Sequence, residues 1–253
     1  MSVLAAAEAA VAIDVTDFEV EFVDTSGCRC RAPLSASWPA RFEDVGPVRG
    51  FRWSKGQCHW PGWWWSATSG RHVGYESWLE RDHVMLLDFD RDVVGFASQP
   101  FWLHWRDERV RRHAPDFFAR LRDGTGVVID VRADERIEPS DAAAFAAMAR
   151  ACEAVGWEFR RVGVPDLVRL ENVRWLSRYR RSRCGARTDI ASRLLEVFEQ
   201  PRALFDGAGQ VGDRLVVLPV LYHLMWRQRL VTDLGLESLH ANTVVRTTSG
   251  GAW

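Results

Sequence analysis

The sequence predicts an α/β protein in which a helix, three strands, a second helix and a fourth strand form one core, with a helical segment after it. Three observations predict this. In "ESWLERDHVMLLDFD" (76–90) Leu79, His83, Leu86 and Leu87 recur at the spacing of a single buried helical face. The runs "VVGFASQPFWLHW", "HAPDFFARLR" and "GVVIDVR" are rich in β-branched and aromatic residues, with turn signals at Arg106 to Arg109 and Asp123 to Gly126. Then "PSDAAAFAAMARACEAVG" reads as a helix and "WEFRRVG" as a strand.

In order along the chain, residues 1–70 form an N-terminal, strand-rich, Trp-containing segment that packs on the core, with "FEVEFVD" and "VRGFRW" as strands. The Pro-Gly step in "HWPGWWW" (59–65) places its tryptophans in a compact hairpin, suited to packing or a subunit contact. Residues 71–165 form the core. Its second helix takes Ser140 as N-cap and Gly156 as C-cap, with Phe145, Met148, Ala149 and Cys152 on one face. Residues 166–245 are helical and arginine-rich, in "NVRWLSRYRRSR", "DIASRLLEVFEQ" and "DRLVVLPVLYHLMWRQRLV", with Trp175 and Tyr179 as core anchors. Helices followed by a short hairpin in "LHANTVVRT" suggest a winged-helix-like module, and 246–253 is a flexible Gly-rich tail.

Composition narrows the function classes. The 253 residues are 47% hydrophobic and 26% charged, the balance of a soluble protein, and no apolar run reaches a membrane span of roughly 20 residues. A cytoplasmic location is expected. The net charge of −1 gives no global attraction to nucleic acid, so any such binding must come from local patches. Five cysteines do not suggest a disulfide framework. Cys28, Cys30, Cys58 and His59 would make four zinc ligands, but the Cys-x-Cys spacing is tight and reduced thiols are the expected state. All but one of the 33 Lys and Arg residues are arginine, the exception being Lys55.

The chemistry concentrates in "HAPDFFARLRDGTGVVIDVR" (113–132). Asp130 and Arg132 are one residue apart in a strand and share a face, while Val131 turns into the core. If the strands pair about the Asp123 to Gly126 turn, Asp116 and Asp130 stand at the same height, able to share one hard cation. Such an ion makes water nucleophilic near neutral pH and relieves charge on a phosphodiester, and a neighbouring cation can stabilise the rest. Arg109, Arg111 and Arg112, with Arg106 and His113, form a charge run that is either a solvated loop or a grip on DNA phosphates.

Pro115-Asp116 followed by Asp130-Val131-Arg132 resembles the proline-aspartate and Asp/Glu-x-Lys pattern of restriction-endonuclease-like nucleases. From "ESWLERDHVMLLDFDRDVVGFASQPFWLHW" through "HAPDFFARLRDGTGVVIDVR", and over about residues 70–240, the chain resembles TnsA-type endonuclease subunits of heteromeric transposases. The resemblance implies a restriction-endonuclease-like fold and metal-assisted cleavage at the 5′ ends of a mobile element. It assigns Glu80, through "SWLE" and in preference to Glu76, Asp116 and Asp130 as catalytic and metal-binding carboxylates, Val131 as a carbonyl ligand, and Arg132 as the charge stabiliser. Gln99 and His113 are supporting residues. The implied cofactor is Mg²⁺, with Mn²⁺ able to substitute, and the implied partners are transposon-end DNA, a DDE-type transposase and an AAA-type ATPase regulator. Arg132 departs from the lysine common in the family, and a permanently charged planar guanidinium cannot act as a base. Two alternatives follow: a scaffold that has lost catalysis, and a stand-alone repair or restriction nuclease of the same fold.

Overall fold

The computed structural model describes residues 18–51 and 60–248. Strands β1 (Glu19–Val23) and β2 (Arg29–Pro33) pair antiparallel about a turn that Asp24 closes, its carboxylate accepting the Ser26 and Cys28 amides at 2.9 Å each. A single helical turn, α1 (Leu34–Ser37), follows. The strand expected in "VRGFRW" is absent over 48–51, and Arg52 and Trp53 lie outside the described residues. The tryptophan hairpin exists as β3 (Gly62–Trp65) and β4 (His72–Tyr75), but it turns at Ser66 to Arg71 and not at the Pro-Gly step.

Helix α2 (Trp78–Phe89) starts at Ser77, whose hydroxyl accepts the Glu80 amide. Its buried residues are Glu80, Asp82, Val84, Met85, Asp88 and Phe89, so the expected stripe of Leu79, His83, Leu86 and Leu87 is only half-buried. The reason is that α2 has no solvent-facing half. Val84 packs against the central sheet, while Met85 and Phe89 pack into the C-terminal helices. Asp88, near its end, accepts from Trp64 Nε1, Ser66 Oγ and the Ala67 and Thr68 amides at 2.9–3.0 Å, which pins the β3–β4 hairpin onto the helix.

The three expected strands are five: β5 (Val93–Ser98), β6 (Trp102–Arg106), β7 (Val110–His113), β8 (Phe117–Leu121) and β9 (Gly126–Val131). Gln99, in the left-handed region at φ 46, and Pro100 break the first run, and Pro115 breaks the second. Helix α3 (Pro139–Ala154) then leads to β10 (Glu158–Val162). The central sheet has the order β10-β9-β8-β5, with β10 parallel to β9 and the other pairs antiparallel. Strands β6 and β7 leave it to complete a second sheet of order β2-β1-β6-β7. The cap of α3 is Glu138, reciprocally bonded with Asp141, so Ser140 lies inside the helix; Gly156, at φ 72, ends it as expected. Ala147, Met148, Ala151 and Cys152 form its buried face, and Ala149 is exposed.

The C-terminal part comprises α4 (Leu167–Leu176), α5 (Thr188–Val197), β11 (Arg202–Ala203), α6 (Leu204–Val211), α7 (Arg214–Trp226), β12 (Leu230–Val231) and β13 (Val244–Thr247). Its strands form a small sheet of order β11-β13-β12 beside the helices. Tyr179 packs against this core, but Trp175 is 39% exposed and stacks at the rim against Tyr179 and Tyr222. Strand β13 reaches Thr247, into the expected tail, and 249–253 lie outside the described residues. Among the described residues, no helix is long and apolar enough to cross a membrane.

Candidate active site

The site is built where β7 hands over to β8 beside the end of β9. The β8–β9 register pairs Phe117 with Ile129, and one step further brings Asp116 opposite Asp130, as the hairpin reading expects. Asp116 sits just ahead of β8; its Oδ2 accepts the Val131 amide at 2.7 Å, and its carbonyl accepts the Gln99 amide at 2.9 Å. Alternation along β9 sends Val127 and Ile129 to the face shared with α2, and Val128 and Asp130 to the face covered by α3. Asp130 is 2% exposed, and both its carboxylate oxygens lie 2.9–3.0 Å from His113 Nε2.

Glu80 approaches from the other face. It is the fourth residue of the Ser-x-x-Glu start of α2: Oε1 accepts the Ser77 hydroxyl at 2.9 Å and Oε2 accepts the amide of Glu76, the residue before the cap, at 2.7 Å. Burial, and then the charges of Glu80 and Asp130, push the Asp116 carboxyl well above the usual carboxylate range. Burial first, and then the neighbouring Glu76 charge against the opposing cap bonds, also raises Glu80. Asp116 is thus the node where acids from both faces of the sheet meet. Glu80 and Asp130 each keep a local partner, and among the described residues no group of three or more His, Cys, Asp or Glu side chains is gathered to hold a metal. Of the zinc set, Cys28 is exposed and Cys30 half-buried, while Cys58 and His59 lie outside the described residues.

Arg132 shares the α3 face with Asp130 but turns to the α3 cap, its Nε and Nη2 donating to Asp141 at 3.0 and 2.9 Å. The cation on the other face of the sheet is Arg49. It donates bidentately to Glu76 at 2.9 and 2.8 Å, and its charge opposes the upward shifts of both Glu80 and Asp116. No local pattern marks Arg49 in the sequence, because it reaches the site through a loop far from α2 in the chain. The Ser77 cap of α2 and the glutamate three residues after it, by contrast, are spelled out by "SWLE". In the β6–β7 hairpin, Arg111 lies 2.6 Å from Asp107, so one of the three arginines expected to grip phosphate is already ion-paired, and Arg112 stacks on Trp102.

Gln99 is 1% exposed, and neither carboxamide atom has a hydrogen-bond partner among the described residues. Its carbonyl accepts the Val48 amide at 2.8 Å, so its left-handed backbone bridges the Asp116 turn and the loop that carries Arg49.

Residues 90–162 match the family model described as TnsA-like endonuclease N terminal. The matched stretch runs from the end of α2 through β10, so it includes Asp116, Asp130, Val131 and Arg132 and leaves out Glu80 and the C-terminal helices. Over that stretch the chain is similar to TnsA-like endonucleases. No curated protein matches the chain.

Proposed function

We propose that the chain is a Mg²⁺-dependent DNA endonuclease subunit of a heteromeric transposase, cutting the 5′ ends of a mobile element by hydrolysis of a phosphodiester. The observation that carries the reading is Asp116: it lies opposite Asp130, beside the Val131 amide, and within the electrostatic reach of Glu80, inside the stretch that resembles an endonuclease domain. The donors are all oxygen, the chemistry that hard cations take, and a divalent cation would offset both the burial and the neighbouring negative charge that raise Asp116. Asp116, Asp130 and the Val131 carbonyl would hold Mg²⁺ or Mn²⁺, with Glu80 joining from α2. The bound ion supplies a nucleophilic water near neutral pH and relieves charge at the phosphate.

In this reading β5, β8, β9 and β10 with α2 and α3 are a restriction-endonuclease-like core (71–165), on which residues 1–70 pack. The order α5-β11-α6-α7-β12-β13, with β13 between β11 and β12, supports a winged-helix-like module within 166–245. A DDE-type transposase and an AAA-type ATPase are the proposed partners. With them and a transposon-end duplex in Mg²⁺, the protein is expected to nick the end. Asp116→Ala should abolish nicking with the circular-dichroism spectrum retained; undiminished nicking by that variant would sink the assignment.

A second reading draws on Arg132. Its two hydrogen bonds to Asp141 tie up the expected phosphate-facing cation, as they would in a scaffold of the same fold that no longer cuts. A wild type that does not nick and an Arg132→Lys variant that does would decide for the scaffold.

A further inference from the structure

Arginines stack on tryptophans all along the seam where α2, α4 and β3 meet. Arg81 lies 4.4 Å over Trp78 at the Glu80 end of α2; Arg178, just past α4, lies 4.7 Å over Trp175; and Arg181 lies 4.7 Å over Trp65 on β3. Contacts join these stacks into one surface. Arg174 of α4 reaches Asp82 of α2 at 3.2 Å, Trp64 donates to Asp88 at 2.9 Å, and Arg180 lies 4.2 Å over Trp64 while donating to the Trp65 carbonyl at 3.1 Å.

The seam's charge is layered. Asp82 and Asp88 are 9% and 4% exposed, while Arg178 and Arg181 are exposed, as is Glu171 of α4 one turn before Arg174 and Trp175. Arg81 and Arg174 both donate to Asp82, and Arg180 donates to the Trp65 and Ser177 carbonyls, so the seam's exposed cations are Arg178 and Arg181, in a chain whose net charge is −1. Stacking on an indole fixes the guanidinium plane and leaves its N–H edge outward, so less side-chain entropy is lost when that edge meets a phosphate oxygen. Trp78 and Trp175, 51% and 39% exposed, are half out of the core and serve as platforms for these cations.

We propose that this seam is a track for the sugar-phosphate backbone of duplex DNA, leading along α2 to the carboxylates at its N-terminus. The proposal rests on reading the chain as a DNA-acting protein, but it concerns binding and not cutting. The test is fluorescence anisotropy of the full chain with a labelled duplex in EDTA, so that no phosphodiester is broken. Arg178→Ala/Arg181→Ala is expected to weaken binding at least about tenfold and to flatten the slope of log K against log salt by about 2, one for each lost phosphate contact. The same pair changed to Lys keeps the charge and should recover most of that slope, which separates charge from folding. An unchanged affinity and slope in the Ala pair, or a wild type that does not bind duplex DNA, overturns the track. Asp116→Asn, titrated in EDTA and assayed for nicking separately in Mg²⁺, keeps the two readings apart: full binding without nicking supports both, and full binding with nicking retained removes the nuclease reading alone.

Discussion

At the residue scale, Asp116 carries a conflict between stability and function. Its pKa is raised in the fold, so its contribution to stability is fully present below the unfolded carboxylate pKa and is lost as pH rises through the folded value. Asp116→Asn removes the ionised form but keeps an oxygen for the Val131 amide, so it is expected to raise Tm at neutral pH by about 2–4 °C in a thermal melt while abolishing nicking. Added Mg²⁺ should raise the wild-type Tm and leave the Asn variant unmoved. Gln99 carries two costs of its own, a left-handed backbone without glycine and a buried carboxamide without a partner among the described residues, the latter typically about 1–3 kcal/mol. Gln99→Met keeps the length and removes the orphaned atoms, so it should unfold no more readily than wild type. Its nicking rate should nevertheless fall, with Gln99→Asn retaining more; an undiminished rate in the Met variant would leave the carboxamide without a role.

At the element scale, the start of α2 gives structure and site the same carboxylate. Ser77→Ala removes the bond to the Glu80 amide and should cost about 1 kcal/mol, read as a lower denaturant midpoint with an unchanged m-value. At the start of β9, a Cβ on Gly126 would come 2.8 Å from the Trp157 ring and 2.9 Å from Phe118, so Gly126→Ala should destabilise the sheet more than the loss of the cap does. What the sequence makes legible here is local. The Asp123 to Gly126 turn and the alternation around it set the register that brings Asp116 opposite Asp130, and Gly156 marks the end of α3. Long-range packing hides the rest. The departure of β6 and β7 into a second sheet depends on pairing with β1, and the Arg49–Glu76 pair spans a loop whose path no pattern encodes. Helix α2 misleads a periodicity argument because it is buried on two sides, and Trp175 does so because its partners sit at a rim.

At the scale of the whole molecule, α2 contributes to two apolar clusters at once, with Val84 in the sheet's and Met85 and Phe89 in that of the C-terminal helices. Phe89→Ala should therefore lower one cooperative melting transition, by roughly 3–5 kcal/mol, and not split it in two. Burial holds His83 and His223 below the ordinary histidine pKa, chiefly by penalising the charged ring. The unfolded chain then takes up more protons as pH falls through about 6.5, so the stability they contribute is whole above that pH and declines below it. Melts across that range should show the decline, reduced in His83→Asn. The shared helix also couples the two clusters. Its N-terminal end holds Glu80 and its C-terminal end is wedged among α4 and α7, and close-packed interiors shift in steps and do not deform smoothly. A protein that grips the C-terminal helices is therefore expected to move Glu80 through α2, and the proposed nicking with it.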